Sequence, residues 1–78
     1  MYNRIRDLRE DHDLFQKDLA AYLHCSQVCY SHYELGYRDI PTDALIKLSV
    51  FYGTSVDYLL GLTDEMKPYP RRKRPLGD

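Results

Sequence analysis

Two histidines and two cysteines lie close together near the middle of the chain, at His24, Cys25, Cys29 and His32. Imidazole nitrogens and thiolate sulfurs are ligands that zinc accepts. Cys25, Cys29 and His32 are spaced so that an intact helix would bring them to one side. Structural zinc, however, usually takes ligands from several elements, and free cysteine behaves as a small hydrophobic side chain. We therefore predict no metal ion and no cofactor.

The other reactive side chains do not form a catalytic pattern. The chain has no glycine-rich phosphate-binding loop, and its carboxylates are scattered along stretches with helical periodicity. Most of the eight tyrosines fall at core or rim positions, where the ring is buried and the hydroxyl reaches water. The sequence predicts that the protein is not an enzyme.

Residues 16–36 are predicted to form two short helices joined by a tight turn. Leu19, Ala20 and Leu23 recur at helical spacing, which indicates one buried face. Ser26 is a suitable N-cap for the next helix, and Gly36 ends it because glycine adopts the left-handed conformation at little cost. A helix-turn-helix that reads DNA needs this arrangement, with one helix across the backbone and the next presented to the major groove.

Apolar spacing and terminating residues predict three further helices and no strand of useful length. The first runs from Asn3 to His12, and the helices of the central motif run from near Phe15 to Leu23 and from Ser26 to Leu35. In the fourth, Thr42 is the expected cap, Leu45, Leu48 and Phe51 or Tyr52 point inward, and Gly53 ends the helix. In the fifth, Thr54 or Ser55 is the cap, and Val56, Leu59 and Leu60 are buried. The predicted fold class is all-α.

The region from about Ile5 to Gly61 resembles the phage-repressor-like helix-turn-helix family, of the Cro/repressor or xenobiotic-response-element type. The resemblance rests on five segments that follow one another at the spacing of that family: Arg4-Ile5-Arg6-Asp7-Leu8-Arg9, Gln16 with Leu19-Ala20, Tyr33-Glu34 with Gly36, Pro41, and Ser55-Val56-Asp57-Tyr58-Leu59-Leu60-Gly61. It implies a compact five-helix domain and a bacterial or phage transcriptional repressor. It also implies a homodimer on a near-palindromic operator in double-stranded DNA, with half-sites roughly 34 Å apart.

The resemblance also assigns residues to DNA contacts. Gln16 matches a glutamine that holds a phosphate at the start of the second helix. Gln27 and Val28 begin the third helix, where glutamine pairs with adenine and valine packs on a thymine methyl group. The DNA-contacting set predicted in this way is Gln16, Lys17, Ser26, Gln27, Val28, Ser31, His32, Tyr37 and Arg38. The alternative is a solvated surface without a partner. Arg9 and Glu34 match a structural ion pair between the first and third helices.

Three departures from the family pattern lie in a predicted turn or at a predicted helix start. Asp13 stands where relatives have glycine, and we expect an unusual backbone angle there. Phe15 replaces a capping Ser or Thr, so either Asp13 takes over the cap or Phe15 packs and the helix start frays. His24 replaces a glycine of the turn, which we expect to strain the turn slightly.

Charge divides the chain into two regions. Residues 1–66, the predicted helix-turn-helix domain, carry six basic and eleven acidic side chains, a net −5. Residues 67–78 carry five basic side chains and one acidic, a net +4, together with several prolines, and are predicted to form a flexible tail. Such a tail could track DNA, fold back on the acidic domain, or serve only as a solubilising terminus.

The acidic domain supports a competing function. The same fold could be a protein-interaction module, of the antitoxin or regulator-partner type, with weak or no DNA binding. A dimer surface is expected to involve the fourth and fifth helices and the start of the tail. Tyr58, Leu62 and Met66 are its candidate residues, because an apolar run continues beyond the fifth helix. No apolar run approaches the roughly 20 residues that a membrane span needs. No leader is apparent, so we expect a cytoplasmic protein.

Overall fold

Five helices make up the fold of the computed structural model, which describes residues 3–68 and residue 70. They are α1 (Asn3–Asp11), α2 (Gln16–Leu23), α3 (Gln27–Leu35), α4 (Thr42–Tyr52) and α5 (Val56–Leu59). The described residues contain no strand. The predicted all-α class with five helices is therefore confirmed. None of the described helices is long and apolar enough to cross a membrane.

The core is formed where α3 packs against α1 and α2, and α5 packs against α1 and α4. Each helix contributes at least one buried apolar residue to this core. Tyr30 of α3 is the largest fully buried side chain. The buried apolar residues are Ile5, Leu8, Leu19, Ala20, Tyr30, Tyr33, Ile40, Ala44, Leu48, Tyr52 and Leu59.

Local signals account for most of the helix ends. The Ser26 hydroxyl accepts a hydrogen bond from the Cys29 amide at 3.0 Å, and Ser55 accepts one from Tyr58 at the same distance. Gly36 and Gly53 end their helices in the left-handed conformation, with φ of 79° and 66°. A hydroxyl before a helix and a glycine after it thus fix where α3 begins and where α3 and α4 end.

Asp13 does not cap α2, contrary to one prediction. It has φ 56°, and its amide bonds to Glu10 O while Leu14 N bonds to Arg9 O, so these residues close the end of α1. Phe15 occupies the cap position of α2 with extended backbone. Its side chain is exposed, so the alternative prediction, that Phe15 packs, is also wrong. His24 has φ 58° in the turn between α2 and α3, so it adopts the conformation that glycine prefers.

Three smaller predictions need correction. Helix α1 ends at Asp11, one residue before the predicted end. Pro41, and not Thr42, occupies the cap position of α4, because the Pro41 carbonyl takes the first helical hydrogen bond, from Leu45 N at 3.0 Å. In α5 only Leu59 is fully buried, since so short a helix turns one side chain into the core and leaves Val56 and Leu60 half-buried.

The segment after α5 is attached to the domain through side chains of α1 and of the turn before α5. Arg4 pairs with Asp64 at 2.6 Å, and its guanidinium carbon lies 4.2 Å from the centre of the Tyr58 ring. The Thr54 hydroxyl donates to the Met66 carbonyl at 2.6 Å. Of the predicted tail, residues 67, 68 and 70 lie outside regular secondary structure. The other tail residues, 69 and 71–78, lie outside the described residues.

Candidate nucleic-acid interface

The first turn of α3 places two side chains in solvent. Gln27 and Val28 directly follow the Ser26 cap, and the Val28 side chain is 65% exposed although it is apolar. Gln27 and Val28 lie on the outer side of the helix, because Tyr30 and Tyr33 turn its other side into the core. An apolar residue kept in water beside an amide is suited to contact base edges, which offer both hydrogen-bonding atoms and methyl groups.

Two open grooves join the start of α2 to this face of α3. One, of about 450 Å³, is lined by Arg9, Phe15, Gln16, Lys17 and Gln27. The other, of about 300 Å³, is lined by Gln16, Gln27, Val28 and Ser31. Five predicted contact residues therefore lie on one continuous surface, which we call the recognition face: Gln16, Lys17, Gln27, Val28 and Ser31.

Three of the four remaining predicted contacts, His32, Tyr37 and Arg38, lie near the C-terminal end of α3 or in the loop after it. The His32 ring packs on the exposed Tyr37 ring, with centroids 5.7 Å apart. The Arg38 guanidinium donates to Cys29 Sγ at 3.4 Å, which brings it back toward the first turn of α3. The Ser26 hydroxyl is engaged in the N-cap, so Ser26 supports the helix more than it offers a free group for binding.

A bidentate ion pair lies beneath the recognition face. Arg9 Nε donates to Glu34 Oε2 at 2.7 Å and Arg9 Nη2 to Oε1 at 3.1 Å, which is the pairing that the family resemblance implied. Arg9 Nη1 also donates to the Leu14 carbonyl at 3.0 Å, and Gln16 Nε2 donates to Glu34 Oε1 at 3.1 Å. The Glu34 side chain is 3% exposed. One carboxylate thus links α1, α3 and the start of α2.

The pKa values of this network follow from burial and hydrogen bonding. Burial alone would raise the pKa of the Glu34 carboxyl, but the hydrogen bonds that Arg9 and Gln16 donate outweigh it, and the pKa is lowered. Burial, and then the Glu34 carboxylate, raise the pKa of the Tyr30 hydroxyl. The same two causes raise the pKa of Tyr52 to about 12. Glu34 is therefore held ionised and both tyrosines neutral near pH 7.

The thiols next to the recognition face differ in environment. Hydrogen bonding to Tyr33 and the nearby Arg38 guanidinium lower the pKa of the Cys29 thiol, whereas burial raises the pKa of Cys25. Both cysteines are free. In the part of the chain that the structure describes, no three histidine, cysteine or carboxylate side chains are grouped to hold a metal ion.

Sequence reasoning overlooked one residue beside the recognition face. Phe15 was expected only to pack or to let the helix fray, yet it lines the larger groove beside Lys17. The sequence feature that could have identified Phe15 is a large apolar residue at a cap position that favours a hydroxyl.

Comparison with known proteins agrees with this geometry. Residues 5–59 match a family model described as "Helix-turn-helix". Over 70 residues, 90% of the chain, it is 40% identical to an uncharacterized HTH-type transcriptional regulator, YobD, of Bacillus subtilis (strain 168). Over 64 residues, 82% of the chain, it is 41% identical to the HTH-type transcriptional regulator ImmR of the same organism. These matches cover 62% and 50% of the relatives' lengths, so the chain spans about half to three fifths of each. No solved structure gives a significant match.

Proposed function

Because the chain belongs to the helix-turn-helix family, we propose that it is a sequence-specific transcriptional regulator of double-stranded DNA, acting as a repressor. The observation that carries this proposal is the exposed pair of Gln27 and Val28, placed directly after the α3 cap and continuous with the start of α2. Residues 1–66 are the proposed binding domain. The bacterial relatives support a bacterial protein that acts in the cytoplasm, where the DNA is.

In the proposed complex, α3 lies in the major groove. Gln27 pairs with an adenine edge, Val28 packs against a thymine methyl group, and Ser31 and His32 lie one turn further along the helix. A bidentate contact such as that of Gln27 contributes about 1–3 kcal/mol of discrimination against the wrong base. This arrangement accounts for an apolar side chain held in solvent on a small domain.

Phosphate contacts then set the position of α3 on the duplex. Gln16 and Lys17 lie at the start of α2, where backbone amides without helical partners attract an anion. Tyr37 and Arg38, after α3, are suited to contact the backbone on the other side. Lys17 and Arg38 are the exposed cations of these two groups, so we expect a shallow dependence of affinity on salt.

A homodimer is part of the proposal, because a two-fold protein matches a near-palindromic operator. Leu62 and Met66 are exposed apolar residues just beyond α5, and the neighbouring Tyr58 is half-buried beneath Arg4. These three residues form the proposed dimer surface. Repression would follow when a bound dimer occludes the DNA that it covers.

A protein-interaction module is the competing proposal, and it is favoured by the net −5 of residues 1–66. Acidic charge weakens attraction to phosphate and suits a basic protein partner. Asp39 adds negative charge beside Arg38 in the loop after α3. The two proposals differ in whether any duplex sequence is selected.

Selection from a random duplex library, at low and moderate salt, tests the main proposal. We expect an enriched palindrome whose binding is lost in the Gln27→Ala/Val28→Ala double variant. An Ile46→Ala/Val50→Ala variant is the matched control, because it removes exposed apolar groups from α4, outside both grooves. Far-UV circular dichroism verifies that both variants fold. Failure to enrich any sequence at either salt would favour the protein-interaction module.

A further inference from the structure

We propose that Phe15 is a DNA-contact residue whose ring packs against a deoxyribose of the strand held at the start of α2. The inference rests on the proposed function and adds an apolar contact to the backbone. The Phe15 side chain is 67% exposed, so core packing does not explain it.

Phe15 also fails to supply what its position in the helix requires. It is the cap residue of α2, with φ −93° and ψ 158°, and its side chain makes no capping hydrogen bond. Asp18 supplies half of a capping box, since its Oδ2 accepts from the Phe15 amide at 2.8 Å. The half that needs a hydroxyl at the cap is missing. The fold therefore gains neither packing nor capping from this side chain.

The surroundings of the ring match one ligand chemistry. Phe15 lines the groove that contains Gln16, Lys17 and Gln27, so it is continuous with the recognition face. Lys17 Nζ lies 5.5 Å from the centre of the Phe15 ring. An ammonium above an apolar ring is complementary to a nucleotide backbone, in which a charged phosphate alternates with an apolar sugar.

Asp18 strengthens the argument for an apolar contact. Its carboxylate lies in the first turn of α2, close to the place where a phosphate would bind. Negative charge there weakens purely electrostatic anchoring of the strand. Burying a phenylalanine ring against a sugar offsets that loss without any new charge.

The test compares three substitutions by binding to the selected operator and to an unrelated duplex. Phe15→Ala removes the ring and adds no polar group, and we expect Kd to rise about tenfold on both duplexes, with an unchanged salt slope. Phe15→Leu retains apolar bulk and should lose no more than about threefold. Val50→Ser on α4 is the exposed apolar control and should bind like the wild type.

Thermal unfolding separates a binding role from a structural one. Phe15→Ser restores a capping hydroxyl, and we expect its Tm to rise by about 4 °C. A fall in Tm would show that the ring stabilises the fold and would overturn the inference.

The binding outcomes distinguish this inference from the proposed function. If the wild type binds its operator and Phe15→Ala binds equally well, the inference is wrong and the proposed function stands. A loss confined to operators with thymine at one position would mean that the ring contacts a base, which also overturns the sugar contact. If the wild type selects no duplex sequence, both the inference and the proposed function are wrong.

Discussion

Gln16 donates a hydrogen bond to Glu34 at 3.1 Å, and Glu34 is also the carboxylate that pairs with Arg9. The amide proposed to hold a phosphate is thereby attached to the ion pair that joins α1 and α3. Stability of the domain and orientation of the recognition face therefore depend on one carboxylate. Substitutions at Glu34 are expected to affect both.

Glu34→Gln is expected to lower the free energy of unfolding by about 3 kcal/mol, because it leaves the largely buried Arg9 guanidinium without its counter-charge. Urea unfolding followed by circular dichroism measures the change. Glu10→Gln is the matched control, since Glu10 pairs with Arg6 at 3.6 Å in an exposed position and should cost less than about 1 kcal/mol. Equal effects of the two substitutions would contradict the structural role of Glu34.

The lowered pKa of Glu34 predicts how the free energy of unfolding changes at acid pH. Its lowered pKa means that the folded chain binds this proton less readily than the unfolded chain does. The contribution of Glu34 is therefore complete above its ordinary value of 4.5 and is lost as pH falls from there through the lower folded pKa. Between pH 7 and pH 3, the difference in unfolding free energy between wild type and Glu34→Gln should become smaller as the pH falls. A gap that stays constant would refute this assignment.

His24→Gly is expected to stabilise the domain by about 1 kcal/mol, because His24 is held at φ 58°, where glycine avoids the steric cost. Gly53→Ala is the reciprocal variant: φ is +66°, and an added Cβ meets nothing within 4 Å, so only backbone strain changes. It should destabilise by about 1 kcal/mol. Thermal and urea unfolding of both variants test the pair. Destabilisation by His24→Gly would show that the histidine side chain contributes more than its backbone costs.

Local signals made most of the fold predictable from sequence. Ser26, Ser55, Gly36 and Gly53 act within a few residues of themselves, and the structure places them as expected. The attachment of Gln16 to Glu34 depends on how α2 packs against α3, and no spacing along the chain specifies it.

The features that the sequence did not predict depend on contacts between neighbouring parts of the fold. Asp13 satisfies the end of α1, so it is not available to cap α2. Phe15 then occupies the cap position and lies in solvent. Likewise Arg4 covers Tyr58 because the two ends of the chain's helical region meet, a contact that only the tertiary structure reveals.

Lys17→Ala should weaken binding to all duplexes by a similar factor, because a phosphate contact carries no sequence information. For a dimer that uses Lys17 and Arg38 from each protomer, the slope of log K against log salt should change from about −4 to about −2. Titration of DNA binding between low and moderate salt measures the slope. Lys47→Ala is the control, since Lys47 is an exposed lysine of α4 that lines neither groove. A loss confined to one sequence would instead assign Lys17 to base recognition.

Leu62→Ser tests the proposed dimer surface. Leu62 is 74% exposed, and each dimer would bury two such side chains, so the dimer dissociation constant should rise about 100-fold. Sedimentation equilibrium without DNA measures it. Ile46→Ser is the matched control, because Ile46 is an exposed apolar residue on α4 and not part of the proposed surface. If only Ile46→Ser dissociates the dimer, the contact lies on α4, and a wild type that stays monomeric at high concentration would refute a dimer formed without DNA.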